Sequence, residues 1–118
     1  TVLCPGHRTY FDMAHNNSTF ERGICWASTI EVKEVFEWKP LQDYNSDDVV
    51  NILGIQGQLW SETITNKDYF DAMINPRLAA LAEIAWCSEA KRSWGYFRSS
   101  LMKNMEYMIK MGWKFHGF

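Results

Sequence analysis

Charge of either sign is nearly balanced in this chain: 14 acidic residues face 12 basic ones, for a formal net charge of −2. That balance removes the electrostatic ground for nucleic-acid binding. Apolar residues make up 47% of the sequence, so the polar, highly charged bias of disordered segments is also missing. No apolar run approaches the ~20 residues that cross a bilayer. The first residues do not form a basic-then-apolar signal segment. Internal repeats and low-complexity tracts are absent. Cysteine is sparse, and Cys4, Cys25 and Cys87 form no CxxC pair. An odd, unpaired set argues against a disulfide framework or a zinc site and leaves buried thiols as the expectation. An initiator Met is lacking too. A chain that starts at Thr1 is expected to be a piece of a longer protein, in which case the missing leader says nothing about compartment.

What remains is a chain of 118 residues, enough for one modest domain with a hydrophobic core. Tryptophan is the compositional outlier, with 6 residues. Its large amphipathic ring serves either cores or the flat faces of sugars. Trp86, Trp94 and Trp113 fall in helical patterns and are expected in the core or at docking contacts. Trp26, Trp38 and Trp60 lie at element ends, where loops carry function. His7, Asp12 and His15 match no metal-ligand spacing. Asn16 and Asn17 each begin an N-x-S/T pattern, which matters only in a glycosylating pathway.

The opening TVLC is a short apolar run stopped by Pro5-Gly6, the end of a buried strand. In CWASTIEVKEVFEW, Cys25 to Trp38, the spacing of Ile30, Val32, Val35 and Phe36 predicts a helix ending before Pro40. The Asp-, Asn- and Ser-rich stretch from Gln42 to Asp48 reads as a linker-like loop. VVNILGIQGQLW, Val49 to Trp60, has the near-continuous apolar character of a parallel strand covered on both faces. DYFDAMI after Asn66 predicts a short helix, and Asn75-Pro76 reads as an N-cap with proline at the first helical position. Leu78, Leu81, Ala82, Ala85 and Trp86 then repeat as an apolar stripe suited to lie on a sheet. A last helix from about Trp94 to Met111 stacks Phe97, Leu101, Met105 and Met108 on one side, its Lys and Arg residues forming a solvated face.

Two buried parallel strands, each followed by helix, predict an α/β parallel architecture. A complete (β/α)8 barrel needs ~250 residues, so this chain is expected to be less than half of one. In such barrels the loops at the carboxyl ends of the strands build the active site. Tyr10 and Asp12 follow the first strand; Trp60 and Glu62 follow the second. If the strands run parallel, these side chains reach one rim. An indole offers a platform to the C–H face of a pyranose, and carboxylates accept hydrogen bonds from hydroxyl pairs. A phenol donates a hydrogen bond to an oxygen on which charge develops. The same residues also read as a core tyrosine, a packing tryptophan and two helix caps.

The ordered motifs TYFDMA, CWASTIEVKEVFEWKP, GIQGQLWSETI and YFDAMINPRLAALAEIAW resemble the last third of the catalytic barrel of glycoside hydrolase family 20, the β-N-acetylhexosaminidases, bacterial chitobiases included. The resemblance runs from Thr1 to about Trp94 and implies that residues 1–118 are the C-terminal segment of a TIM barrel, incomplete in this chain. It implies a retaining hydrolysis of terminal N-acetyl-β-D-hexosamine in which the substrate's own acetamido oxygen attacks the anomeric carbon. The Asp-Glu pair that in the family orients the acetamido group and protonates the leaving oxygen is not in this sequence, so the isolated chain is expected to be inactive.

Residue by residue, the resemblance puts the motif tyrosine on Tyr10, as the catalytic hydrogen-bond donor. Asp12 and Glu62 would hold sugar hydroxyls, Trp60 would line the pocket, and Trp26 would contact the leaving side. Trp38 would be a packing residue, and Arg77 and Glu83 structural partners of the barrel wall. The implied partners are N-acetylglucosamine- or N-acetylgalactosamine-terminated glycans and the remainder of the barrel, with no nucleic acid, no membrane segment and no cofactor or metal. The competing reading is a non-catalytic carbohydrate-binding or degenerate barrel piece, with Trp26 and Trp60 as stacking platforms.

Overall fold

A computed structural model describes residues 1–118. Two short strands, β1 (Val2–Leu3) and β2 (Gly54–Ile55), pair in parallel with Val2 opposite Gly54 and Leu3 opposite Ile55. Their alignment persists past the strands: Gln58 N–H donates to the Thr9 carbonyl at 2.8 Å and Phe11 N–H to the Gln58 carbonyl at 2.6 Å. Tyr10 therefore lies opposite Gln58 in a parallel bridge, and Met13 makes another with Ile24. The helices are α1 (Gly6–Thr9), α2 (Val32–Glu37), α3 (Ser46–Val49), α4 (Lys67–Ile74), α5 (Arg77–Trp86) and α6 (Trp94–Lys110).

The parallel α/β character agrees with the sequence, while several boundaries do not. The expected Val49–Trp60 strand shrinks because Asn45 accepts hydrogen bonds from Asp47 N and Asp48 N and closes α3 ahead of it. The expected loop there is thus partly helical. The Cys25–Trp38 helix is confined to α2, which starts at a reciprocal capping box between Glu31 and Glu34. Before it the chain is extended, because Ile24 and Ile30 bond to Ala14, at 2.8 Å (Ala14 N to Ile24 O) and 2.9 Å (Ile30 N to Ala14 O). Non-local ladder bonds outcompete the local helical pattern.

Asn66 caps α4 by accepting from Tyr69 N at 2.9 Å. Asn75 does not cap α5; Pro76 takes that position, and the Asn75 side chain donates to the Lys114 carbonyl instead. The buried face of α5 is also not the apolar stripe. Arg77, Ala80, Leu81 and Ile84 are inside, whereas Trp86 is 91% exposed, contrary to its expected core or docking place. Leu78, Ala82 and Ala85 are either exposed or, for Leu78, nearly half so. The thiols differ as well: Cys25 is exposed, and Cys4 and Cys87 are half-buried.

The helix turns this way because Arg77, fully buried, has to face the core. Its Nε donates to the Met73 carbonyl at 3.0 Å, Nη1 to Met13 at 2.8 Å and Ile30 at 3.1 Å, and Nη2 to Phe11 at 2.6 Å and to Met73. The guanidinium also lies over the Phe11 ring, 5.4 Å from its centre. Burial pushes its pKa down to about 9, against the opposing pull of Glu21 and Asp12, which leaves it a cation at neutral pH. A buried cation needs its donors satisfied, and here main-chain carbonyls satisfy them. Around it, Phe11, Met13, Ile30, Val35 and Ile84 form the core.

Two glycines permit this closeness. A Cβ on Gly57 would stand 2.8 Å from both Phe11 and Leu81 side-chain atoms. Gly23 has φ +111°, and its Cβ would meet Asp12 O and Ala14 N at 2.8 Å.

After α6 the chain reverses at Gly112 (φ +88°), with Trp113 N bonded to Met108 O and Gly112 N to Ile109 O. The tail then crosses the α4–α5 junction. Lys114 N donates to Asp71 and His116 N to the Asn75 carbonyl. The His116 ring stacks on His15 at 3.7 Å and 4°. His15 is 3% exposed and its Nε2 faces the Ala72 carbonyl at 3.1 Å, which requires the hydrogen on that nitrogen.

Replacing Arg77 by Met leaves the Phe11, Met13 and Ile30 carbonyls without donors and is expected to cost about 3 kcal/mol or more, read from denaturant unfolding. His15 supplies an acid-linked effect. Burial, then Arg77 and His116, lower its pKa from 6.5 to about 3. The unfolded chain takes up that proton near pH 6.5 and the folded chain refuses it until about 3, so stability is full above pH 6.5 and falls through that window, at no more than about 1.4 kcal/mol per pH unit. Denaturation midpoints at pH 7 and pH 5 should therefore differ more in the wild type than in His15→Gln.

Candidate functional site

The aligned strand ends put two distant stretches side by side. Tyr10 is the C-cap of α1, with φ −88° and ψ 103°, and so leaves that short turn in an extended conformation. The parallel bridge to Gln58 sets it next to the Leu59–Glu62 segment. Its ring centre is 6.2 Å from that of Trp60, tilted at 58°, and 6.0 Å from that of Trp26, edge-on at 79°. A phenol thus sits between two indoles contributed by different loops. Trp26 is 69% and Trp60 49% exposed, which leaves apolar ring faces open to a ligand.

Asp12 lies beneath this group, 1% exposed. Its Oδ1 accepts from Trp60 N at 3.4 Å, while Oδ2 is buried with no hydrogen-bond partner. A buried carboxylate oxygen without a donor is costly, and the site as it stands offers it none. Glu62 is exposed and makes no hydrogen bond or ion pair within the chain. The structure therefore gathers Tyr10, Asp12, Trp26 and Trp60, and leaves Glu62 free at the end of the same segment.

Other residues singled out from the sequence have structural surroundings. Trp38 is half-buried against the core, and its carbonyl accepts from Arg92 at 3.2 Å. Arg77 grips the carbonyls on either side of Asp12, those of Phe11 and Met13, and so fixes the main chain from which the Tyr10–Asp12 pair projects. A lone arginine in PRLAALAEIAW is the only trace of this in the sequence. His7, Asp12 and His15 do not come together, since no group of three or more His, Cys, Asp or Glu side chains is placed to hold a metal ion.

A hollow of about 710 Å³ lies elsewhere, between His15, Phe20, Arg22, Lys67, Tyr69 and His116. The tyrosine–tryptophan group lines no comparable enclosure. It is an open, aromatic-walled surface with a half-satisfied acid beside it, able to stack a ring and to accept and donate hydrogen bonds.

Residues 1–89 match the model of the glycosyl hydrolase family 20 catalytic domain. A β-N-acetylhexosaminidase of Cellulomonas fimi is 30% identical over 115 residues, covering 98% of this chain and 23% of that protein. A β-hexosaminidase of Vibrio furnissii is 40% identical over 83 residues, covering 69% of this chain and 14% of its own length. Among solved structures, the family 20 exo-β-N-acetylglucosaminidase of Vibrio harveyi in complex with N-acetylglucosamine superposes with a TM-score of 0.88 at 32% identity, over 96% of this chain and 18% of that one. The enzyme of Streptomyces coelicolor gives 0.88 at 28% identity, over 99% and 24%. The chain thus spans less than a quarter of the length of these relatives. With its family match over most of the sequence and a fold shared almost end to end, this chain belongs to glycoside hydrolase family 20.

Proposed function

We propose that residues 1–118 are the carboxyl-terminal part of the (β/α)8 catalytic barrel of an exo-acting β-N-acetylhexosaminidase, and that Tyr10, Asp12, Trp26, Trp60 and Glu62 are its contribution to the sugar pocket. The observation that carries this is Tyr10 held between Trp26 and Trp60, 6.0 and 6.2 Å from their ring centres, beside a buried acid one of whose oxygens lacks a donor. The substrates are glycans ending in β-linked N-acetylglucosamine or N-acetylgalactosamine. The remaining strands close the barrel and complete the pocket wall.

In the reaction, the acetamido oxygen of the substrate attacks the anomeric carbon as the bond to the leaving oxygen breaks. The proton for the leaving group comes from a general acid outside this sequence. The Tyr10 hydroxyl donates to the acetamido oxygen and so holds that group in the position from which it attacks the anomeric carbon, which lowers the barrier by orientation. Trp60 carries the apolar sugar face. Glu62 and Asp12 accept from hydroxyls on the far side of the terminal sugar. A hydroxyl bonded to Asp12 Oδ2 removes the unsatisfied buried oxygen. Trp26, the most exposed of these rings, meets the leaving-side group.

The exposed Trp26 and Trp60 faces also suit a second reading, a carbohydrate-binding piece without catalysis. An Asp-Glu pair at a strand end in the preceding sequence separates the two: its presence supports the enzyme, its replacement supports binding alone.

The test is release of a chromogenic leaving group from a β-N-acetylglucosaminide by the complete protein. Tyr10→Phe is expected to lower kcat about 10²-fold, the scale of misplacing a reacting group. Glu62→Gln is expected to raise KM about tenfold with a smaller effect on kcat, because it removes a charged acceptor used before and during the reaction. Rates and affinities equal to the wild type in both variants would overturn these roles.

A further inference from the structure

The C-terminal tail reaches the loop that follows Asp12 through one side chain. That loop, from His15 to Gly23, is mostly solvent-facing, with Phe20 94% exposed. Inside the loop, Asn16 accepts from Ser18 N and donates to Glu21 Oε2 at 3.3 Å. Its contacts to the rest of the fold are few: His15 on the Ala72 carbonyl, Arg22 over the Tyr69 ring, and His116. His116 makes two contacts of different kinds. Its ring stacks flat on His15, and its Nε2 lies 2.9 Å from Glu21 Oε2. With His15 it lines two hollows, of about 710 and 310 Å³.

His15 is in turn three residues beyond Asp12, on the stretch whose Phe11 and Met13 carbonyls Arg77 grips. The guanidinium fixes this stretch from the core side, and His116 fixes it from the outer side. The tail itself is anchored apart from this ring, by Lys114 N on Asp71 and His116 N on the Asn75 carbonyl. Loss of the imidazole therefore leaves the tail docked and removes the tail's hold on the loop, which keeps His15 on the Ala72 carbonyl and Arg22 over the Tyr69 ring.

We infer that His116 is a positioning residue for the active site: by stacking on His15 and bonding Glu21 it holds the Asp12–Gly23 loop, and with it Tyr10 and Asp12 in front and Trp26 behind, in their working arrangement. The inference rests on the hydrolase reading proposed above. It assigns a task to the segment beyond residue 89, which the family model does not cover.

The test uses the complete protein and a chromogenic β-N-acetylglucosaminide, with His116→Ala, Glu21→Ala and the double variant. If the wild type releases no chromophore, the hydrolase reading fails, independently of the tail. Given an active wild type, each single variant is expected to lower kcat about tenfold, the scale of a small misplacement of reacting groups. The double variant is expected to fall no more than about twofold below the lower single one, because both changes cut the same contact. His116→Gln keeps a donor toward Glu21 and is expected to recover most of the rate. Wild-type kcat in the singles, multiplicative losses in the double variant, or a Gln variant no better than Ala would overturn the inference. Should His116→Ala fail to fold, Glu21→Ala, changed on the loop side alone, decides through kcat.

Discussion

A single buried cation organises this chain. Arg77 has no carboxylate in contact and answers its charge with main-chain carbonyls from three separate segments: Phe11 and Met13, Ile30, and Met73. Buried main-chain carbonyls require donors, so each of these segments needs the guanidinium as much as it needs them. The planar, forked donor set of arginine suits the task, and an ammonium point charge would not reach the same acceptors. The orientation of α5 and the path of the chain after Tyr10 follow from that one constraint, and the bond to the Ile30 carbonyl adds to the Ala14 pairing that keeps the stretch before α2 extended.

The candidate site is a consequence of the same arrangement. Parallel pairing brings the ends of β1 and β2 level, but pairing alone fixes only the height at which Tyr10 and Trp60 arrive. Their mutual tilt depends on the main chain at Phe11 and Met13, which Arg77 clamps, and on Gly57, whose missing side chain lets Phe11 close against Leu81. The strained turn at Gly23 then returns the loop past Asp12 and delivers Trp26 to the other side of Tyr10. Rigid support beneath an exposed set of side chains is the usual design of a binding surface on loops.

Much of this was legible in the sequence, and the parts that were not have a common cause. The first strand, the short helix after Asn66 and the long α6 are local matters, set by residues close to each other in the chain. The meeting of Tyr10 and Trp60 could be read because strand parallelism turns a sequence order into a spatial one. The helix over Cys25–Trp38 was overextended because Ala14, the partner that draws Ile24 and Ile30 into extended pairing, lies outside any local window. The wrong face was assigned to α5 because hydrophobic periodicity assumes that apolar groups are inside. A buried arginine breaks that assumption and rotates Trp86 outward. Trp26 stands out in the sequence as a tryptophan at an element end, but its nearness to Tyr10 has no local signal. The contact between His116 and Glu21 spans 95 residues and had no signal in the sequence.

The most direct test of the account is a crystal structure of the complete protein with N-acetylglucosamine bound. The account predicts a sugar lying on the Trp60 ring, its acetamido oxygen at the Tyr10 hydroxyl, its far hydroxyls on Glu62 and Asp12 Oδ2, and the Phe11 and Met13 carbonyls still on Arg77. A sugar bound away from these rings, or a Tyr10 hydroxyl turned from the acetamido group while Arg77 keeps its carbonyls, would contradict it.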